Sequence, residues 1–400
     1  MLVKIQYLIT TFLLVLFVSA CSEVKFSQHY ECEAQGTCVV QNGKAVYPSK
    51  VVTIEGGNVD ILIVNDNSAS MSFEQQRMAD RFGQFINNLE KKNINYRIGF
   101  TTTDISSTQN KARDINQNGG LQDGNLISLS NGKKFLSSGD GTIAEKINIF
   151  NSAIKRPETL TCENFIRNWI NSGKKINEGN YNLEYYNNCP SGDERGIYAA
   201  NLVIKNNPDS FLRDDADFQL IFLSDEDERS QLYFSEANYA LTEMDKGVNL
   251  AQNIRTQFPN KNFGIHPIIV ADEYCLPVQA KQLLNVVNGS YGYEYDNARK
   301  EAQNIVNAER KAKNLESIKM VLGDICSDDY SGQLYDIFNQ VSGAIVDNIA
   351  IECANPSGLS VTVATSDSSI SYEVVGNLIK FNKKLPVGTK VTLSEYSCPQ

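Results

Sequence analysis

The sequence predicts an α/β fold, a doubly wound, mostly parallel sheet with helices on both faces, followed by a small all-β module. Three observations carry that prediction. Val59 to Val64 is an almost unbroken apolar run, the pattern of a strand buried on both faces. Two further core-type runs, Phe218 to Leu223 and Phe263 to Val270, alternate with helical patterns, which implies parallel pairing and right-handed crossovers. Beyond Cys353 and Pro356 the period changes to alternating or β-branched stretches, with Gly376-Asn377 and Pro386-Val387-Gly388 as turns.

With 400 residues, 42% of them hydrophobic, the chain has material for more than one core, and its length suggests two or three modules. A formal net charge of -10 argues against a nucleic-acid surface and fits a solvated exported protein. The start fits export too. Lys4 precedes an apolar run from Leu8 to Val18, and small residues lead into Cys21, the layout of a secretory signal, shorter than a membrane-spanning helix needs. Val18-Ser19-Ala20-Cys21 resembles the bacterial lipobox, so the expectation is a signal peptide over 1–20 and a lipidated Cys21 holding the mature chain to a membrane. An ordinary cleaved signal, with Cys21 a structural thiol, is the alternative. Ser22 follows Cys21, without the Asp of inner-membrane retention, which points to the outer membrane.

The chain has nine cysteines, and setting Cys21 aside leaves an even eight, as expected for pairing in an oxidising compartment. Sequence does not fix connectivity. Nearest-neighbour pairing is the simplest arrangement: Cys32 with Cys38, Cys162 with Cys189, Cys275 with Cys326, and Cys353 with Cys398. Zinc competes poorly, because there is no Cys-x-x-Cys pair and the two histidines are His29 and His266.

In chain order, residues 21–56 read as a tether containing the small Cys32–Cys38 loop. An α/β domain follows over 57–352. Phe73, Met78, Phe82, Phe85, Ile86 and Leu89 fall at helical spacing behind the first strand, and a second strand covers Tyr96 to Thr103. The Thr101-to-Asp104 terminus lies where it could reach the same crevice, although β-branched residues finishing a strand are the simpler explanation. Residues 105–141, rich in Asn, Gly, Ser and Asp, read as a hairpin-bearing insertion. Helical patterns occupy Ile143 to Ile154 and Cys162 to Ile170, and 171–189 reads as a second insertion, a long polar loop. Later helices are expected over about 197–204, 237–256, 296–319 and 334–349, and 353–400 forms the β module.

The chemistry gathers at two strand ends. After Val64 come Asp66, Ser68 and Ser70, a carboxylate and two hydroxyls at alternate positions; Leu223 is followed by Ser224, Asp225, Glu226 and Asp227. In an open α/β sheet, ligands bind in the crevice beyond the strand ends. Oxygen donors of this kind suit a hard divalent cation such as Mg2+. A serine that merely caps the following helix is the competing explanation.

Together, Asp66-x-Ser68-x-Ser70 after one buried strand and Ser224-Asp225 after another resemble a von Willebrand factor A (VWA) domain. Phe211-Leu212-Arg213 before the later strand and Ser224-Asp225-Glu226-Asp227 after it resemble the bacterial secreted or lipoprotein members more closely still. The resemblance implies a Rossmann-like VWA fold over roughly Val59 to Ile349. It also implies a metal-ion-dependent adhesion site built from Asp66, Ser68 and Ser70 on one loop, a hydroxyl on a second and Asp225 on a third. Aligning on Gly196-Ile197 puts Ser191 in the place of the family's Thr, with Glu194 close enough to compete as the oxygen donor. The implied cofactor is Mg2+, or Mn2+ or Ca2+, and the implied partner is a protein presenting an Asp or Glu carboxylate. The function expected is membrane-anchored, cation-dependent protein binding without catalysis. The alternatives are a structural envelope lipoprotein with a lapsed site and a metal-dependent hydrolase. For the hydrolase, His29 lies in the tether and His266 within a strand pattern, and no Ser-His-Asp or Cys-His pair is suggested.

Overall fold

The computed structural model describes residues 32, 36–54, 57–92, 94–105, 122–176, 178–190, 194–228, 241–282, 290–312, 317–341, 346–365, 367–385 and 389–398. They divide into two compact units. One is formed by the described residues within 53–347 and 384–389; the other by those within 1–52, 348–383 and 390–400.

The larger unit holds a six-stranded sheet made of β1 (Asn58–Asn65), β2 (Asn95–Thr102), β3 (Phe135–Ser137), β4 (Asp217–Ser224), β5 (Phe263–Ile269) and β6 (Gly323–Asp324). In space the order is β3-β2-β1-β4-β5-β6. All neighbours pair in parallel except β2 with β3. The chain thus winds outward from β1 to one side and returns to wind outward from β4 on the other. The switch between the two directions falls between β1 and β4, where such sheets open a crevice. In register, Asn65 stands opposite Leu223, so the two strands end side by side.

Successive side chains of β1 point to opposite faces, and both faces are covered. Val59, Ile61 and Ile63 join a core with Met78, Phe82, Phe85 and Leu89 of helix α1 (Ser72–Lys91), Phe150 of α2 (Ile143–Ile154) and Ile337 of the Ser331–Val341 helix. Leu62 and Val64 join the opposite core, with Val203 of the Gly196–Asn206 helix, Leu250 and Ile254 of Gly247–Gln257, and Ala298 and Ala302 of Tyr293–Ala312. Burial on both faces explains the continuous apolar run. On the second face a Cβ at Gly247 would lie 2.0 Å from the carbonyl oxygen of Glu294, so glycine permits the close crossing of two helices. The polar exception within Val59–Val64, Asp60, is buried and held by the Arg213 guanidinium and backbone N–H.

The smaller unit is built on short antiparallel pairs, Val39–Gln41 with Lys44–Tyr47, Lys44–Tyr47 with Tyr396–Cys398, Val361–Val363 with Lys390–Leu393, and Tyr372–Val375 with Leu378–Leu385. This corrects the tether expected over 21–56 for its stretch 39–53, while residues 21–31, 33–35 and 55–56 lie outside the described residues. The β-branched residues of that stretch find partners at the other end of the chain, and Tyr47 stacks on Tyr396 with ring centroids 5.4 Å apart. The cysteines are joined as nearest neighbours: Cys32–Cys38, Cys162–Cys189, Cys275–Cys326 and Cys353–Cys398.

Other differences have local causes. Residues 171–189 include the helix Tyr181–Asn188 rather than a continuous loop, because Tyr181 and Tyr185, one turn apart, bury against Trp169. The helix expected to reach Ile349 ends at Val341, and Val346–Ala350 is a strand beside Leu378–Leu385, so sheet pairing overrides the helical spacing of Val346 and Ile349. Cys275–Gln282 forms a helix the sequence did not announce. Of the 105–141 insertion, residues 106–121 lie outside the described residues, and its described part contributes the edge strand β3. Among the described residues no helix is long and apolar enough to cross a membrane.

Leu62 lies fully buried at the centre of the sheet. Leu62→Ala is expected to lower the unfolding free energy by about 2–5 kcal/mol in denaturant titration, whereas Leu183→Ala, at a side chain 62% exposed, is expected to change it by less than about 0.5 kcal/mol.

Candidate metal centre at the carboxyl end of the sheet

Asp66 leaves the end of β1 fully buried, with its N–H donating to Leu223 O of β4 at 3.0 Å. Its carboxylate is held from two sides. The Ser68 backbone N–H donates to Oδ1 at 2.8 Å, and Ser224 Oγ donates to Oδ2 at 2.7 Å. The next two hydroxyls continue the line, with Ser68 Oγ and Ser70 Oγ 3.1 Å apart and Ser70 Oγ donating to Asp225 Oδ1 at 3.1 Å. Ser70 and Asp225 are buried while Ser68 is partly exposed, so the row runs from solvent into the sheet.

These bonds decide the capping question. A short 3-10 turn, Ala69–Met71, precedes α1; Ser68 is its N-cap and Met71 the N-cap of α1, and neither makes a side-chain capping bond. The serine hydroxyls therefore serve the carboxylates and not the helix. Asp225 Oδ2 is buried without a hydrogen-bond partner, and a buried carboxylate oxygen left unmatched is costly.

A second loop brings Glu194, buried and in the left-handed region at φ 43°. Its Oε2 accepts from Thr103 Oγ1 at 3.1 Å, and the next N–H, that of Arg195, donates to Thr103 O at 3.0 Å. Glu194 and Asp66 act on each other electrostatically, the charge of Asp66 helping to raise the Glu194 carboxyl. Thr103 and Asp104 are thus part of the site wall and not merely the end of β2: Asp104 is buried and accepts from Asn67 Nδ2 at 2.8 Å. Ser191 and Cys21 lie outside the described residues. Of the residues singled out from sequence, Asp66, Ser68, Ser70, Asp225 and Glu194 come together here.

The electrostatics are those of negative charge without a counterion. Burial first, and the neighbouring Asp66 second, push the carboxyls of Glu194 and Asp225 well above the ordinary range; burial also raises Asp66. Arg195 is buried nearby, but its guanidinium is committed to Asp245 at 2.8 and 3.1 Å. Among the described residues no Lys or Arg forms an ion pair with Asp66, Glu194 or Asp225. The donors are all hydroxyl or carboxylate oxygens, with one carboxylate oxygen unmatched, a set that fits a hard divalent cation. The other grouping of potential ligands, Cys275, Asp324 and Cys326, does not fit a thiolate site because its two sulfurs are bonded to each other. His266 is held in the core, its Nε2 2.9 Å from Gln219 Oε1 and its Nδ1 accepting from Val321 N, and burial lowers its pKa to about 3.

Sequence reasoning missed the residues that hold the first loop. Gln75 Nε2 donates to Asp66 O at 2.9 Å, Thr159 Oγ1 donates to Asn67 O at 2.8 Å, and Asn67 Nδ2 reaches Glu158 Oε1 at 3.3 Å. No periodicity marks such contacts, since they join residues far apart in the chain. Ser224 is the one with a local signal, sitting between a core strand and an acid.

No family model and no curated protein matches the sequence. Among solved structures the chain is similar to the pilus adhesin SpaC of Lactobacillus rhamnosus GG in its open conformation, at 11% identity and a TM-score of 0.33, covering 88% of this chain and 42% of that one. It is also similar to proximal thread matrix protein 1 from the mussel byssus, at 8% identity and a TM-score of 0.34, covering 75% of this chain and 52% of that one. The chain therefore spans less than half of the adhesin and about half of the byssus protein. At these TM-scores neither likeness bears on the function of this chain.

Proposed function

We propose that the chain is an exported, lipid-anchored protein-binding module of the VWA type. Asp66, Ser68, Ser70 and Asp225 would hold a divalent cation, Mg2+ or its substitutes Mn2+ and Ca2+, and an Asp or Glu of a partner protein would complete its ligands. The observation that carries the reading is that both serine hydroxyls turn away from the helix they precede and line up with Asp66 and Asp225, whose Oδ2 has no partner. Glu194, or Ser191 three residues before it in the chain, would supply the second-loop oxygen. When bound, the cation supplies positive charge at the rim of the crevice. Because two of the donors are neutral hydroxyls, Asp66 and Asp225 leave the ion attractive to a further carboxylate. Anchoring through Cys21 and an outer-membrane location rest on the sequence features at the chain's start.

Asp66→Ala is expected to abolish the heat of Mg2+ binding in calorimetry and cation-dependent capture of partner proteins from the native envelope, with the far-UV spectrum unchanged. If the parent protein gives no heat with Mg2+ or Mn2+, the site has lapsed and the structural alternative holds. Cation-dependent turnover of ester, phosphate or peptide substrates, lost in Asp225→Ala, would establish the hydrolase instead.

The raised carboxyls give a second expectation. Unfolded, these groups titrate near 4. A folded-state pKa raised above that contributes stability fully present below the unfolded value and lost as pH rises through the folded one. The cation-free protein is therefore expected to melt higher at about pH 5 than at about pH 8, and saturating Mg2+ to raise the melting temperature most at the higher pH. Asp225→Asn removes one buried charge. It is expected to raise the cation-free melting temperature near pH 8 by roughly 2–4 °C and to remove the response to Mg2+.

A further inference from the structure

The second insertion, 171–189, closes a small core against the helix that precedes it. Cys162, Ile166 and Trp169 of the Pro157–Asn171 helix pack with Tyr181, Tyr185 and Cys189, and Ala69 is buried in the same cluster. Ala69 is the residue between Ser68 and Ser70. The backbone of the first loop is held jointly by α1 and by the Pro157–Asn171 helix. Beyond the end of β1 the carbonyls of Asp66 and Asn67 have no strand partner, and buried carbonyls must find donors. They accept from Gln75 Nε2 and Thr159 Oγ1 respectively, and Gln75 Nε2 also donates to Thr159 Oγ1 at 3.1 Å while its Oε1 accepts from Arg156 N at 2.9 Å. Thr159 and Gln75 are both buried. Cys162 follows Thr159 by three residues on the same helical face and is bonded to Cys189, which precedes Glu194 by five in the chain. One covalent link therefore ties the support of the first loop to the start of the second.

We infer that Thr159 and the disulfide-closed helical pair of the 157–189 segment are positioning elements that set the cation affinity of the site. The inference rests on the cation-binding reading above. Thr159 fixes the carbonyl beside Asp66, the Ala69 contact fixes the turn that aims both serine hydroxyls, and the bridge keeps the Glu194 loop in step with them. Ligand groups held in place before binding lose less freedom when the ion arrives, so loosening any of these lowers affinity without removing a ligand.

The test compares the full-length parent with Thr159→Val, Thr159→Ser and the double variant Cys162→Ala/Cys189→Ala. Two readouts are used, calorimetric titration with MgCl2 alone and hydrogen exchange of the 66–71 amides in chelator. Thr159→Val, close in shape but lacking the donor, is expected to weaken Mg2+ binding about three- to tenfold and to speed exchange in the loop by a similar factor, the worth of one hydrogen bond. Thr159→Ser restores both because it keeps the hydroxyl. The double variant is expected to weaken binding at least as much and to speed exchange in both the 66–71 and 194–197 amides; if it fails to fold, the two Thr159 variants decide alone. Thr159→Val with parental affinity and parental exchange overturns the inference. If the parent takes up no Mg2+, the cation reading fails, and the exchange comparison still decides whether this helix holds the loop.

Discussion

The structure depends on two parallel strands that end together, each in a carboxylate. β1 and β4 pair in register to Asn65 opposite Leu223, so Asp66 and Asp225 emerge side by side, and Ser224 binds Asp66 across the junction. Each hydrogen bond there returns about 0.5–1.5 kcal/mol, less than an uncompensated buried carboxylate costs. Glu194, from another loop, adds to the imbalance instead of relieving it. The neighbouring guanidinium of Arg195 is spent on Asp245. A fold assembled only for stability would put an apolar residue or a basic partner at such a junction.

The surrounding architecture makes this concentration of charge sustainable. Two apolar cores grip β1 from opposite faces, so the strand ends cannot splay to let their carboxylates separate. Asp66 and Asp225 stand one residue beyond the ends of two rigid strands, Ser68, Ser70 and Glu194 lie farther out along the loops, and a third small core lies under the first loop at Ala69. Polar side chains from α1 and the Pro157–Asn171 helix take up the carbonyls that the strand leaves behind. The site is thus precise because its loops are packed, not because they are short.

Much of this was legible in the sequence. Val59–Val64 and Phe218–Leu223 read as doubly buried strands because both faces are covered, and the Asp-x-Ser-x-Ser row read as a site because it follows such a strand at once. The nearest-neighbour arrangement of the disulfides is the one the structure has, although nothing in the sequence fixes that connectivity. What stayed hidden was long-range. The strands at 39–53 look like a polar tether until tail strands such as Tyr396–Cys398 pair with them, and Val346–Ala350 looks helical until Leu378–Leu385 lies beside it. Thr103 and Asp104 passed for an ordinary strand end, since only the fold brings Glu194 and Asn67 to them. Gln75 and Thr159 gave no signal, for a side chain that binds a distant carbonyl leaves no period in its own segment.

The outermost strands of the larger sheet are also its shortest, three residues at Phe135–Ser137 and two at Gly323–Asp324. An exposed strand edge is a row of unmatched backbone donors and acceptors on which another chain can add itself. Here that row is only a few groups long on either side, and Lys133 and Lys134 stand directly before the first of them. Very short edge strands, one of them preceded by lysines, are a common protection against pairing with another sheet, so the described edge strands themselves give a second chain little to add to.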